Sequence, residues 1–165
     1  MVVDPFPLSS FQQGFAVQQV AGAVGLGGTV AEGGPAGGTG TATTAAGDKN
    51  QYHVVSLGHI VDAERIIAYR ALAIARGDTQ PLPGFDENSY VQNASFDHWK
   101  LGDLAEEYAL VRRSNIVFFQ NLPAEAWDRR GTANGHPVSV RGLAYVIVGH
   151  ERHHLKVLRD KYKVS

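Results

Sequence analysis

The sequence predicts an all-α fold, a four-helix bundle whose helices are joined by long loops. Two observations predict it. Beyond residue 50, apolar residues recur at intervals of three and four through most of the chain, the period of a helix with one buried face. No stretch shows the alternation of a strand, so no strand is expected. The chain of 165 residues is long enough for a sizeable core, and one domain over residues 1–165 is the expectation.

The first helix is expected over Phe11–Val24, where Phe11, Phe15, Val20 and Val24 stand at roughly helical spacing with Gln between. A glycine-rich stretch follows: residues 22–47 hold ten of the nineteen glycines. Such a stretch loses much backbone entropy on folding and offers little side chain to bury, so it reads as loop. The second helix runs from about Gln51 to Arg76 through Val55, Ile60, Ile66, Ile67, Leu72 and Ile74, with Gly77 as its stop. Asp78–Gly102, with Pro81, Pro83, Gly84 and Asn88, reads as a long loop. The third helix spans about Asp103 to Asn121, with Leu104, Tyr108, Val111, Ile116 and Phe119 inward and Glu106, Glu107, Arg112 and Arg113 outward. Pro123 opens a short turn to Asp128, and Thr132–Pro137 is again loop. The last helix begins at Val138 or Ser139, with Ser139 as N-cap, and runs to Tyr162. Lys156, Arg159, Lys161 and Lys163 suit the negative end of its dipole.

Composition excludes several classes of function. All fifteen Lys and Arg lie at or after Lys49, yet the net charge is only -1, which gives no general attraction to nucleic acid or anionic lipid. There is no cysteine, so disulfides, thiolate metal sites and cysteine nucleophiles are ruled out, and a cytoplasmic location fits. Met1–Pro5 has no basic, then apolar, signal-peptide pattern, and no apolar run approaches the roughly 20 residues that span a bilayer.

The histidines carry the chemistry. Three of the seven fall in Gly149-His150-Glu151-Arg152-His153-His154-Leu155. His150 and His154, four apart, share a helix face with Leu143, Ile147, Val157 and Leu158, so they point inward while Glu151 and Arg152 point elsewhere. An isolated pair of this spacing is more often a surface pair or a hydrogen-bonded core pair than a metal site. The facing helix changes the weighing. His59 lies there on the stripe of Val55, Asp62 and Ile66, and Gly58 beside it admits a close backbone approach. Buried imidazoles side by side cannot both be protonated, and a divalent cation that takes a lone pair from each resolves the cost. His153 is an alternative ligand three residues after His150 but leans off the stripe, and His136, though its loop could reach the site, reads as an ordinary loop residue because nothing in the sequence places it there. His53 and His98 read as ordinary surface or loop residues.

At these residues the sequence resembles the DinB-like superfamily of small helical metalloproteins, which includes the YfiT-type thiol transferases. The matching stretches are Gly58–Arg65, Arg76-Gly77-Asp78 with Pro81–Asn88, Gly131–Gly135, and Gly149–Leu155. The family's Trp-Ser pair ahead of the first histidine is absent, with Lys49-Asn50-Gln51-Tyr52-His53 in its region. The resemblance implies a four-helix bundle with one divalent metal ion on His59, His150 and His154. Zinc or nickel is expected first, with iron, manganese or copper behind. It also implies a small-molecule substrate, a low-molecular-weight thiol such as bacillithiol or mycothiol as cosubstrate and, by family analogy, a homodimer, while the charge and the lack of a long apolar run already argue for no nucleic acid and no membrane.

Three functions follow as alternatives. A thiol transferase predicts a cleft beside the metal with room for a thiol and its carboxylates. A hydrolase of a small substrate predicts a carboxylate within one water of the metal. A non-catalytic, stress-related metal-binding bundle predicts a closed fourth ligand and no cleft. Asp62, one turn from His59, is the candidate catalytic carboxylate, to orient that ring or accept a proton, with a buried hydrogen-bond role as its plain alternative. Glu64, Arg65, Tyr69 and Arg70 are expected to pin the Asp86-Glu87-Asn88 loop over the bundle.

Overall fold

In the computed structural model, residues 49–162 are described. The helix expected over Phe11–Val24 and the glycine-rich stretch lie outside the described residues. The second expected helix is α1, Lys49–Ala75. It stops as the sequence predicts. Gly77 takes φ +86°, its N–H donates to Ile74 O at 3.0 Å, and Asp78 N–H donates to Ala73 O at 3.0 Å. These two bonds satisfy the last carbonyls, and a left-handed residue at this position favours glycine.

The segment expected as loop contains a helix of its own, α2, Glu87–Ala94. Asp86 starts it, its Oδ1 accepting from Asn88 N at 3.0 Å and Ser89 N at 3.3 Å. Arg70 holds the approach, its Nη2 donating to Pro83 O at 2.7 Å and its guanidinium lying over the Phe85 ring. Of the four α1 residues expected to form ion pairs with Asp86-Glu87-Asn88, Arg70 reaches only the stretch just before it, Pro83 and Phe85. Glu64 and Arg65 instead pair with Arg112 and Glu107. After α2 a 3₁₀ turn, Phe96–His98, lays the buried Phe96 on Gly58 of α1. Gly58 therefore makes room for an aromatic side chain rather than for another backbone.

Helix α3 is Leu101–Gln120, and α4 is Val140–Tyr162. Between them Pro123 opens a 3₁₀ turn, Ala124–Ala126. The stretch 130–139, expected as loop and helix start, forms an antiparallel hairpin instead. Strand β1 (Arg130–Ala133) pairs with β2 (His136–Ser139), with Ala133 opposite His136. Asn134 and Gly135 both have positive φ, 51° and 73°, the geometry that matches the right-handed twist of the strands. Leu82 joins this hairpin edge through Leu82 N to Thr132 O at 2.8 Å and Asn134 N to Leu82 O at 3.0 Å. Ser139 caps α4, its Oγ accepting from Gly142 N at 3.0 Å.

Two apolar clusters fill the bundle. One joins Ala63–Ala75 of α1 to Phe119, Trp127, the hairpin and Val140–Ile147 of α4. The other joins Val54–Val61 to Phe96 and to Leu104–Tyr108 of α3. So α3 runs parallel to α1, and α4 runs against it. Where the clusters meet, charged side chains are buried instead: Glu64 is 2 % exposed, Arg112 7 % and Glu151 1 %. This corrects the expectation that Arg112 faces outward and Glu151 points away from the interior. Among the described residues no helix is long and apolar enough to cross a membrane.

Candidate metal centre

The antiparallel course of α1 and α4 sets His59 against one turn of α4. His59 Nε2 and His154 Nε2 each lie 3.1 Å from His150 Nε2. The three ring centroids are 4.9, 4.8 and 4.6 Å apart, and the rings meet edge to face. All three residues are half-buried, and their ligand atoms lie within 4.8 Å of one another.

Hydrogen bonding alone does not satisfy this arrangement. Each imidazole nitrogen makes one bond in its ring plane, as donor or as acceptor. His150 Nε2 faces two other nitrogens, so one of the contacts has no proton to share. Burial pushes His150 down to about 4, and the neighbouring His59 and His153 push the same way. Burial lowers His154 to about 4 as well, helped by His150, His59 and His153 and opposed by Glu87. Both rings are therefore neutral near pH 7, with lone pairs available to a cation. Nitrogens about 2.0–2.1 Å from one ion, at tetrahedral or octahedral angles, stand roughly 2.9–3.4 Å apart. The observed 3.1 Å separations fit a divalent ion, and the all-imidazole donor set suits zinc, nickel, copper or iron.

The cluster opens on a cleft of about 440 Å³ between α1, α2 and α4, with His59 and His154 in its wall. Glu87, the first residue of α2, enters it, with Oε2 3.8 Å from His59 Nε2. Glu87 is not marked as a site residue by any motif in the sequence. Its signal was Asp86, a residue type that starts helices, immediately ahead of it. Asp62 stands differently. It is half-buried, and burial raises its pKa with Glu107 adding to the effect, while Arg65 and His59 oppose it. No hydrogen bond joins it to the His59 ring.

Behind the histidines the buried charges form one network. Arg112 Nη1 donates to Glu151 Oε2 at 2.8 Å, while its Nε and Nη2 donate to the two oxygens of Glu64 at 2.9 and 2.8 Å. Asn115 Nδ2 donates to Glu64 Oε1 at 3.0 Å, and the Tyr108 hydroxyl donates to Glu151 Oε1. Burial raises the Tyr108 pKa strongly. Burial opposes the charge on Arg112, but its hydrogen bonds and the charge of Glu64 outweigh that and raise its pKa. Glu151 directly follows His150, so the network fixes the turn of α4 that presents the pair.

The other histidines stay apart. His153 is exposed, with its ring edge-on to His154 at 5.3 Å. His98 and His136 are exposed, the latter on β2, and His53 sits half-buried nearer the start of α1.

No curated protein and no solved structure matches the chain. A family model for the DinB superfamily does match it, over residues 56–158, a span that holds the three converging histidines, Glu87 and the whole charged network. The chain belongs to the DinB superfamily.

Proposed function

We propose that this chain is a metal-dependent transferase that holds one divalent ion on His59, His150 and His154 and joins a low-molecular-weight thiol to a small electrophilic substrate. The observation that carries the reading is the convergence of three Nε2 atoms, two of them 3.1 Å from the third, on the wall of an open cleft. An ion held there by three neutral imidazoles would keep its full charge and would lower the pKa of a bound thiol or water. A purely structural ion calls for a closed ligand shell and no cleft. Zinc or nickel is the metal we expect.

The residues around the cluster supply the rest. Glu87 accepts the thiol proton as the S–H bond breaks and passes it to water, so that its carboxylate is charged again. The sulfur then bonds to the electrophilic carbon, and the leaving group departs with its electron pair. Glu87 is better disposed for this than Asp62, which has no bond to the His59 ring. The same carboxylate favours a second reading, hydrolysis of a small substrate, because it lies within reach of the histidines through one water.

Metal analysis of the purified protein tests the proposal. His59→Ala, His150→Ala and His154→Ala should each lose most of the metal, whereas His153→Ala should keep it. Thiol consumption with an electrophile should stop on chelation and return on reloading. Equal metal content in all four variants would refute the assignment.

A further inference from the structure

The cleft beside the histidines has no positive side chain among the described residues that line it. Val55 and Val91 give it apolar walls, and its other groups are Ser56, Asn88, Gln92 and the Glu87 carboxylate. Residues 1–48 contain neither Lys nor Arg. The charges around the histidines point the same way. The Glu87 side chain is 56 % exposed beside His59, and behind the histidines two buried carboxylates share one guanidinium. Together these offset much of the charge that a divalent ion would bring. A ligand carrying carboxylates would meet Glu87, find no cation among the described residues of the walls, and lose hydration there without a partner.

We propose that this cleft takes small thiols that carry no carboxylate, and that Glu87 favours those bearing an amine. The inference rests on the metal reading above and deepens it. Of the thiols that the family resemblance offers as examples, it sets the site against the carboxylate-bearing bacillithiol and in favour of a neutral or amine-bearing thiol.

The test uses the full chain loaded with cobalt(II), whose sulfur-to-metal absorption band reports thiol binding without any turnover. The probes are 2-mercaptoethanol, cysteamine and mercaptosuccinate, with total cobalt measured separately. Mercaptosuccinate should bind at least about tenfold more weakly than 2-mercaptoethanol, and cysteamine at least as tightly, the scale of one nearby, partly screened charge. Glu87→Gln should retain cobalt and close these gaps by about tenfold. Mercaptosuccinate binding as tightly as 2-mercaptoethanol, an unchanged ranking in Glu87→Gln, or no sulfur band with any probe would overturn the inference while leaving the metal assignment standing. A wild-type chain that takes up no cobalt would overturn the metal assignment and this inference with it.

Discussion

Arg112 on α3 reaches Glu151 on α4 at 2.8 Å, and Glu151 is the residue next to the candidate ligand His150. The same guanidinium clasps both oxygens of Glu64 on α1, so one side chain ties α1, α3 and α4 together at the level of the histidines. Taking three charges out of water is costly, and their attraction offsets that only while every partner stays. Arg112→Leu should therefore destabilise the protein by about 3–5 kcal/mol, because it leaves two carboxylates buried without a cation. Replacing Glu64 and Glu151 by Gln in the same chain should recover much of the loss. Urea denaturation measures both, and an Arg112→Leu midpoint equal to wild type would dismiss the network as a source of stability.

Metal removal should make stability depend on acid. His150 and His154 titrate near 4 in the folded chain, against 6.5 for an ordinary histidine. Between those values the unfolded chain binds more protons, so folding stability rises with pH there and is lost as pH falls from about 6.5 toward 4. The melting temperature of metal-free protein should be level above pH 7 and decline through that window. His154→Gln should shallow the decline by removing one of the two groups. With metal bound, protons must displace it from the same lone pairs, so the decline should coincide with metal release. A metal-free melting temperature that stays flat down to pH 4 would show that these rings are not held neutral.

Asp62 and Glu87 should separate cleanly. Asp62→Asn should leave metal content unchanged and alter thiol transfer by no more than about twofold, since a half-buried carboxyl without a bond to the His59 ring has little to lose. Glu87→Gln should also retain metal but slow transfer by about a hundredfold or more, the lower end of what a positioned proton acceptor contributes. Steady-state rates on metal-replete protein decide it, and the reverse ranking would restore Asp62 as the catalytic carboxylate.

Much of the bundle was legible because helices announce themselves by period and caps. Gly77 and Ser139 end and begin helices where the sequence puts them, and the spacing of His150 and His154 forces a shared face. The charged layer was harder, because a charged residue reads as solvated unless its partner is known, and Arg112 lies 48 positions from Glu64 and 39 from Glu151. Yet a signal was present. Glu64 falls on the stripe of Ile60, Ile67 and Ala71, Arg112 on that of Tyr108 and Phe119, and Glu151 on that of Ile147 and Leu155. A charge on the apolar stripe of each of three helices is itself a prediction of mutual pairing. The hairpin was missed for another reason. Asn134-Gly135 is a strong turn signal, but the Gly131 and Pro137 that flank it are poor strand formers.

Gly58 tests how far packing outside the ligand set controls the cleft. In an exposed helix, changing Gly to Ala gains roughly 0.5–1 kcal/mol, because glycine loses more backbone freedom on folding. Here the new methyl would stand 2.5 Å from the Phe96 ring, and Phe96 is only 5 % exposed, so the ring cannot retreat without moving the segment that carries it. Overpacking of this kind costs about 1–3 kcal/mol, which outweighs the helical gain. Gly58→Ala should therefore be less stable than wild type by about 1 kcal/mol. Because Phe96 follows α2 directly, the displacement should also shift Glu87 and weaken thiol binding with metal content unchanged. Adding Phe96→Leu, which frees the space, should restore part of both. If Gly58→Ala instead raises the melting temperature, propensity outweighs packing at this position, and the close approach of Phe96 does not hold α2 over the histidines.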